Sequence, residues 1–265
     1  MGPQEHTRRK ESFDAVASDY DRYRSGFPDQ VVDHIVAAGH VSDRARVLEI
    51  GCGTGQLSVP LARTGAELVA VERGANLAAF ASRNLALFPR ARVEVAAFED
   101  WPLPPTPFDV VVAANAFHWV DPGVRFSKSA EALTPGGYLV LAHALHVAGG
   151  TPGFFADTQP SYLRWGVSDD PHFALPTPGT APLRYPELDV RPEYGAVRRE
   201  RFVVPRVYTT ASYVGWLKTD SSLSALDERS RQGFLDDIGR LIETRYAGSV
   251  QRNWLYEVVT AQKTA

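Results

Sequence analysis

Sulfur is almost absent from this chain: one cysteine and one methionine in 265 residues. A single thiol excludes an internal disulfide framework and any zinc site built on several cysteines. It agrees with a reducing, cytoplasmic setting. Cys52 stands inside a glycine turn, where a small residue is the more immediate need than a nucleophile. No apolar run is long enough to cross a bilayer, so no membrane association is expected. Residues 1–10 are polar, lack the apolar middle of a secretion signal and are expected to lie outside the ordered fold. A charge excess of one sign is missing too: 28 Lys+Arg against 31 Asp+Glu leave a net charge of −3. The basic clusters, Arg8-Arg9-Lys10 and Arg198-Arg199-Glu200-Arg201, are short, so no nucleic-acid partner is expected. The sequence holds no metal-ligand cluster and no internal repeat.

What is present is one distinctive stretch, Val47-Leu48-Glu49-Ile50-Gly51-Cys52-Gly53-Thr54-Gly55-Gln56-Leu57. A short apolar run ends in three glycines spaced by two and passes into a helical pattern. That is the signature of a buried parallel strand turning sharply into a helix. Such a turn lets the backbone approach a ligand closely. It lies at the carboxyl end of a strand, where open α/β sheets bind their ligands.

Around it the chain alternates. Strands are expected at 46–50, 67–72, 92–96, 108–113 and 138–142, with helices at 29–38, 57–64, 75–87 and 125–133. Thr134-Pro135-Gly136-Gly137 reads as a turn. The alternation predicts a doubly wound sheet with helices on both faces. Residues 197–208 and 254–260 add two strands, the last one antiparallel, and 210–218 and 227–246 add two helices. The expected fold is therefore α/β: a mostly parallel seven-stranded sheet with an antiparallel last strand, an N-terminal lid and an inserted cap. Residues 11–147 and 196–265 make the core. Residues 148–195, rich in proline, glycine and aromatics, make the cap, which is too aromatic for a disordered linker.

Three ligands share such a turn. A phosphate loop needs Lys and Ser/Thr after its last glycine; here Gln56-Leu57 follow Gly55. A dinucleotide fold prefers G-x-G-x-x-G, and an acid such as Glu49 beside the glycines disfavours a pyrophosphate and suits a cation. Glu72 ends the second strand, placed to accept hydrogen bonds from both hydroxyls of a ribose.

In this order and spacing the residues resemble the class I S-adenosylmethionine-dependent methyltransferases, most closely a small-molecule, trans-aconitate methyltransferase-like subgroup. The resemblance runs from about Phe13 to Leu141. Glu49 through Gly55 resembles the first motif, and Glu72 the ribose acid. Phe98-Glu99-Asp100-Trp101 resembles the stretch flanking the adenine. Phe108 to Val112, with Asn115-Ala116-Phe117-His118-Trp119-Val120-Asp121, resembles the fourth strand and its continuation. Phe13 through Pro28 resembles an N-terminal lid. One departure is Ala97, where many relatives carry Asp to accept the adenine amino group; Glu99 or a nearby carbonyl has to replace it.

The resemblance implies S-adenosyl-L-methionine as cofactor and a small-molecule acceptor, in a monomer or homodimer, with a place in specialised metabolism. It implies a cofactor site of Tyr20, Arg24, Glu49, Gly51, Cys52, Gly53, Gln56, Glu72, Arg73, Ala97, Phe98, Glu99, Asn115 and Ala116, with Arg24 pairing the methionine carboxylate. Past the fourth strand, His118 is the candidate general base; the competing reading makes it framework. His143 and His146 are second choices for the base, and Trp119, His143, Phe154, Trp165 and Trp216 are candidate acceptor residues, with Tyr162 and Phe173 among the same cap aromatics. The methyl-acceptor atom is expected to be a hydroxyl, a carboxylate or a nitrogen. The competing functions are a nicotinamide-dependent oxidoreductase on a similar sheet and a binding module without transfer.

Overall fold

A computed structural model describes residues 12–264. The expectation for residues 1–10 falls outside them. The chain divides into two compact units. One comprises Ser25–Ala144, Pro182–Phe202 and Tyr256–Ala265; the other comprises the chain up to Arg24, Leu145–Ala181 and Val203–Leu255. Of the segment expected as a cap, 148–195, residues 148–181 fall in one unit and 182–195 in the other.

The first of these units holds most of a seven-stranded sheet, whose strands at 133–147, 198–209 and 249–262 each divide between the two units. Its strands are β1 (Arg46–Ile50), β2 (Glu67–Glu72), β3 (Ala91–Val95), β4 (Phe108–Ala114), β5 (Leu133–Val147), β6 (Arg198–Thr209) and β7 (Ser249–Gln262), in the order β3-β2-β1-β4-β5-β7-β6. β1 pairs in parallel with β2 and β4, β2 with β3, and β4 with β5. Strands buried on both faces need unbroken apolar runs. Val47, Leu48 and Ile50 of β1 and Leu68 to Val71 of β2 supply them. At the amino end Asp109 accepts the Arg46 backbone N–H at 2.8 Å, and Arg46 Nε donates to Glu67 at 3.0 Å, pinning the register of three strands. β7 runs antiparallel: near its end Lys263 exchanges both backbone hydrogen bonds with the Gly136-Gly137 stretch.

Helices α2 (Asp29–Ala38), α3 (Ser58–Arg63), α4 (Ala75–Asn84) and α5 (Arg125–Ala132) complete this unit, following the short N-terminal α1 (Ala17–Tyr23) of the other. Pro60 is the third residue of α3, so it sits in the first turn, where helical N–H groups have few partners anyway. α4 stops short of the expected residue 87. The N–H of Ala86 turns to Arg83 and that of Phe88 to Leu85, a tighter winding that leads into Pro89. The expected turn at 134–137 proves to be part of β5. The register jumps from Phe108↔Leu133 to Val110↔Tyr138, so the strand keeps pairing while Thr134 to Gly137 bulge out, Gly136 at φ +77°.

The other unit is helical and aromatic: α6 (Phe154–Arg164), α7 (Thr210–Lys218) and α8 (Glu228–Arg245). Thr209 and Asp227 cap α7 and α8 by accepting the N–H of Ser212 and Ser230. Phe154, Tyr213 and Phe234 are fully buried here. Trp165 packs so tightly on α8 that a Cβ at Gly233 would lie 2.4 Å from its ring.

Candidate functional site

The turn after β1 is built as a cradle. Gly51, Gly53 and Gly55 all have positive φ, at +67°, +60° and +97°. Ala116 presses so closely on Gly51 that a Cβ there would stand 2.5 Å from Ala116 Cβ. No other residue type fits that position unchanged. The turn closes on itself through Gly55 N–H to Cys52 O at 2.9 Å, and Asn84 of α4 braces it by donating to Thr54 O at 2.8 Å.

Two carboxylates serve this cradle in different ways. Glu72 bridges the turns after β1 and β2: one oxygen accepts the Gly53 N–H and the other the Gly74 N–H, both at 2.9 Å. It is therefore held rigidly at the cradle's rim. Glu49 lies beneath, 1 % exposed, and among the described residues accepts from Ser58 Oγ alone, at 2.6 Å. Burial dominates its titration, with the nearby Glu72 charge adding to it against the Ser58 hydrogen bond, and its pKa is raised to about 8. The same burial, with Glu49 and Glu72, pushes the Cys52 thiol up well above its ordinary range. That thiol is inert at neutral pH.

Beyond β4 the chain turns through Asn115, in the left-handed region at φ +53°. Asn115 is tied to β5 twice: its N–H donates to Ala142 O at 2.9 Å, and its Oδ1 accepts the Ala144 N–H at 2.8 Å. This holds Ala116 against Gly51 and sets the single 3₁₀ turn Phe117–Trp119. Phe117 is the buried anchor of that turn, packed edge-on to Phe126 and Tyr185. His118 remains part-exposed, its ring 4.9 Å from Trp119 and 5.5 Å from His143. His143, one residue past Ala142 on β5, is 8 % exposed, and Arg184 donates to its Nε2. Burial first, then Arg184 and His118, hold its pKa well below the imidazole range, so His143 is neutral. The His118 backbone also hydrogen-bonds the phenol of Tyr185, whose pKa burial raises to about 12.

The stretch 97–101 is a turn. Ala97 O accepts the N–H groups of Asp100 and Trp101, Phe98 is 3 % exposed, and Glu99 accepts the Asp121 N–H at 3.1 Å. Arg73 is exposed, and Gln56 donates to Thr54 Oγ1 at 2.7 Å. In the helical unit, Arg24 donates to Thr219 Oγ1 at 2.7 Å and to its carbonyl at 2.9 Å, with its guanidinium over the rings of Tyr20 and Trp216. Trp165 Nε1 donates to Asp237 at 2.9 Å, and Phe154 is core, edge-on to Tyr213 and Tyr246. His146 lies 4.9 Å from Trp216 and 3.7 Å from Trp254.

The sheet unit thus brings together Glu49, Gly51, Gly53, Glu72, Asn115, Ala116, His118 and His143. Sequence reasoning missed Arg184 and Tyr185. They come from the irregular segment after 148, where no period marks a residue as facing a site. Among the described residues no helix is long and apolar enough to cross a membrane, and no cluster of three or more His, Cys, Asp or Glu could hold a metal ion.

Known proteins share this architecture. Residues 47–137 match the methyltransferase domain family. An uncharacterized methyltransferase of Mycobacterium tuberculosis is 32% identical over 130 residues, covering 49% of this chain and 51% of the relative. One of Geobacillus kaustophilus is 33% identical over 141 residues, covering 49% and 64%. The chain therefore matches only about half to two thirds of the length of these relatives. Among solved structures, a putative type II methyltransferase from Anaeromyxobacter dehalogenans superposes with a TM-score of 0.61 at 23% identity, over 91% of this chain and 98% of that one. A phosphoethanolamine N-methyltransferase of Haemonchus contortus, solved with phosphomonomethylethanolamine and S-adenosylhomocysteine, gives 0.55 at 16% identity, over 95% and 58%. Residues 47–137 are thus similar to a methyltransferase domain, and the seven-stranded sheet has the methyltransferase fold.

Proposed function

We propose that the protein transfers a methyl group from S-adenosylmethionine to a small-molecule acceptor. The observation that carries this reading is the cradle itself: three positive-φ glycines, Glu72 fixed across them, and no phosphate-binding lysine. The residues fit a nucleoside bearing a cation. Gly51 and Gly53 leave room for backbone approach, and the Glu72 carboxylate, held across both turns, is the group that would meet two ribose hydroxyls. The stretch 97–99 would flank the base. Since Ala97 has no side-chain acceptor and its carbonyl already takes two N–H groups, Glu99 is the assigned acceptor for an exocyclic amine.

The cofactor supplies a methyl activated by a sulfonium. The protein's own work is then positioning and, for a hydroxyl or amine nucleophile, removal of a proton. Asn115 and Ala116 set the wall beside Gly51, and His118 follows directly on that wall as the assigned base. His143, held neutral by burial, keeps a second positive charge from forming beside His118.

The test has two stages. Calorimetry should give micromolar binding of S-adenosylhomocysteine and none of NAD; binding of NAD alone refutes the reading. A screen of metabolites with methyl-labelled cofactor should then find an acceptor, and His118→Ala should lower its kcat by at least 10-fold with little change in cofactor affinity.

A further inference from the structure

Arg184 sits just before Tyr185 and the 3₁₀ turn Pro186–Val190, in the sheet unit. Among the described residues its one side-chain partner is His143 Nε2, to which Nη2 donates. Arginine can only donate, so Nε2 is the acceptor and the ring proton of His143 is on Nδ1. Among the described residues, that buried Nδ1 has no hydrogen-bond partner, and neither has the buried Arg184 Nε. The acids nearby are engaged elsewhere. Glu257 accepts the Arg184 backbone N–H at 2.9 Å but gives its other oxygen to Arg201 Nε at 2.7 Å. Glu187 pairs with Arg125. Among the described residues, no carboxylate pairs with the Arg184 guanidinium. A permanent cation therefore faces a neutral imidazole, and two buried donors lack acceptors. A buried donor left unmet costs its full desolvation, and a charged one costs more. A bound anion supplies what is missing: negative charge and several lone pairs, on paired oxygens that suit the fork of a guanidinium.

We propose that Arg184 and His143 form the recognition site for an anionic group, a carboxylate or phosphate, on the methyl acceptor. This rests on the methyl-transfer reading, because the His143 ring lies 5.5 Å from that of His118, the assigned base. Arg184 is the specificity residue. His143 is a positioning residue that holds the guanidinium and adds one donor of its own.

The proposal is tested by binding to the full chain saturated with S-adenosylhomocysteine, followed by calorimetry and the ¹⁵N imidazole signals. The probes are benzoate, phenyl phosphate and neutral benzamide. Benzoate or phenyl phosphate should bind at least 10-fold tighter than benzamide and shift the His143 signal; the tighter of the two names the anion. Arg184→Gln should lower anion affinity at least 10-fold while S-adenosylhomocysteine affinity stays within 2-fold. Arg184→Lys should recover part of the loss, and His143→Gln should raise KM for an anionic acceptor more than it lowers kcat. Equal binding of benzoate and benzamide, no His143 shift with any anion, or unchanged anion binding in Arg184→Gln overturns the proposal. The contrast between probes in the wild-type chain needs no variant to fold. Failure of S-adenosylhomocysteine to bind counts against the methyl-transfer reading instead; its binding with all anions ignored sinks the anion site alone.

Discussion

Replacing Glu49 by glutamine should stabilise the ligand-free protein, and by an amount that grows with pH. In the fold Glu49 is fully buried and titrates at about 8, against an ordinary value of 4.5. Between those values the native state holds a proton that the unfolded chain has lost. Stability therefore falls as pH rises through this window. At about 1.4 kcal/mol per pH unit, and allowing for the half-titrated endpoint, wild type should lose about 3 kcal/mol relative to Glu49→Gln between pH 5.5 and 8. Glutamine keeps an oxygen for the Ser58 hydroxyl, so the hydrogen bond survives. The comparison with the variant is essential. His143 and His146 have pKa values pushed down by burial and by neighbouring arginines, and neutral histidines gain stability as pH rises towards 6.5. That opposing trend is common to both proteins and cancels in the difference. Urea melts at four pH values measure it. A difference independent of pH, or one in which wild type gains on the variant as pH rises, refutes a protonated Glu49. The same reasoning reaches the ligand: a sulfonium beside the cradle favours the carboxylate, so S-adenosylmethionine binding at pH 7 should release a proton. Calorimetry in buffers of differing ionisation enthalpy reads that release, and Glu49→Gln should abolish it.

Other outcomes follow from the same geometry. Cys52 should resist iodoacetamide at pH 7.5 and react only in denaturant, because burial, Glu49 and Glu72 keep its thiol protonated; rapid labelling of the native protein would contradict this. Gly51→Ala should cost about 1–2 kcal/mol for its positive φ, plus the overlap with Ala116, and weaken S-adenosylhomocysteine binding at least 10-fold. Gly233→Ala, normally a gain inside a helix, should destabilise by about 1–3 kcal/mol because the new methyl meets the Trp165 ring, while cofactor affinity is unchanged. A thermal melt with and without S-adenosylhomocysteine separates these last two.

The central strands were legible because parallel strands buried on both faces leave unbroken apolar runs, as β1, β2 and β4 do; β3 and β6, with charged residues in their runs, were legible from alternation and position in the chain. The misjudged places have local causes. Thr134-Pro135-Gly136-Gly137 has the composition of a turn, and no local rule says that a strand can extrude those residues and keep pairing. Leu85 to Leu87 continue a helical pattern, but tight i→i−3 bonds unwind the chain before Pro89. The unit boundary at Ala181 is invisible to composition, since residues on both sides of it are equally rich in proline and aromatics.

The chemistry divides along a different line. Gly51, Gly53 and Glu72 were legible because each position has a requirement that a single residue type satisfies: backbone approach, or a rigid pair of acceptors. A charge state carries no such mark. Glu49 was read as an anion that would attract a cation, yet its burial with one hydroxyl partner makes it a neutral acid in the ligand-free protein at pH 7. The attraction becomes conditional, because a cation has to displace the proton before it meets the negative charge. Arg184 shows the converse. In sequence it is one arginine among the chain's 28 basic residues. Only the fold reveals that Glu257 is committed to Arg201 and Glu187 to Arg125, leaving the Arg184 guanidinium beside an imidazole. What distinguishes a recognition residue here is the company denied to it, which is a property of the folded arrangement and not of the residue.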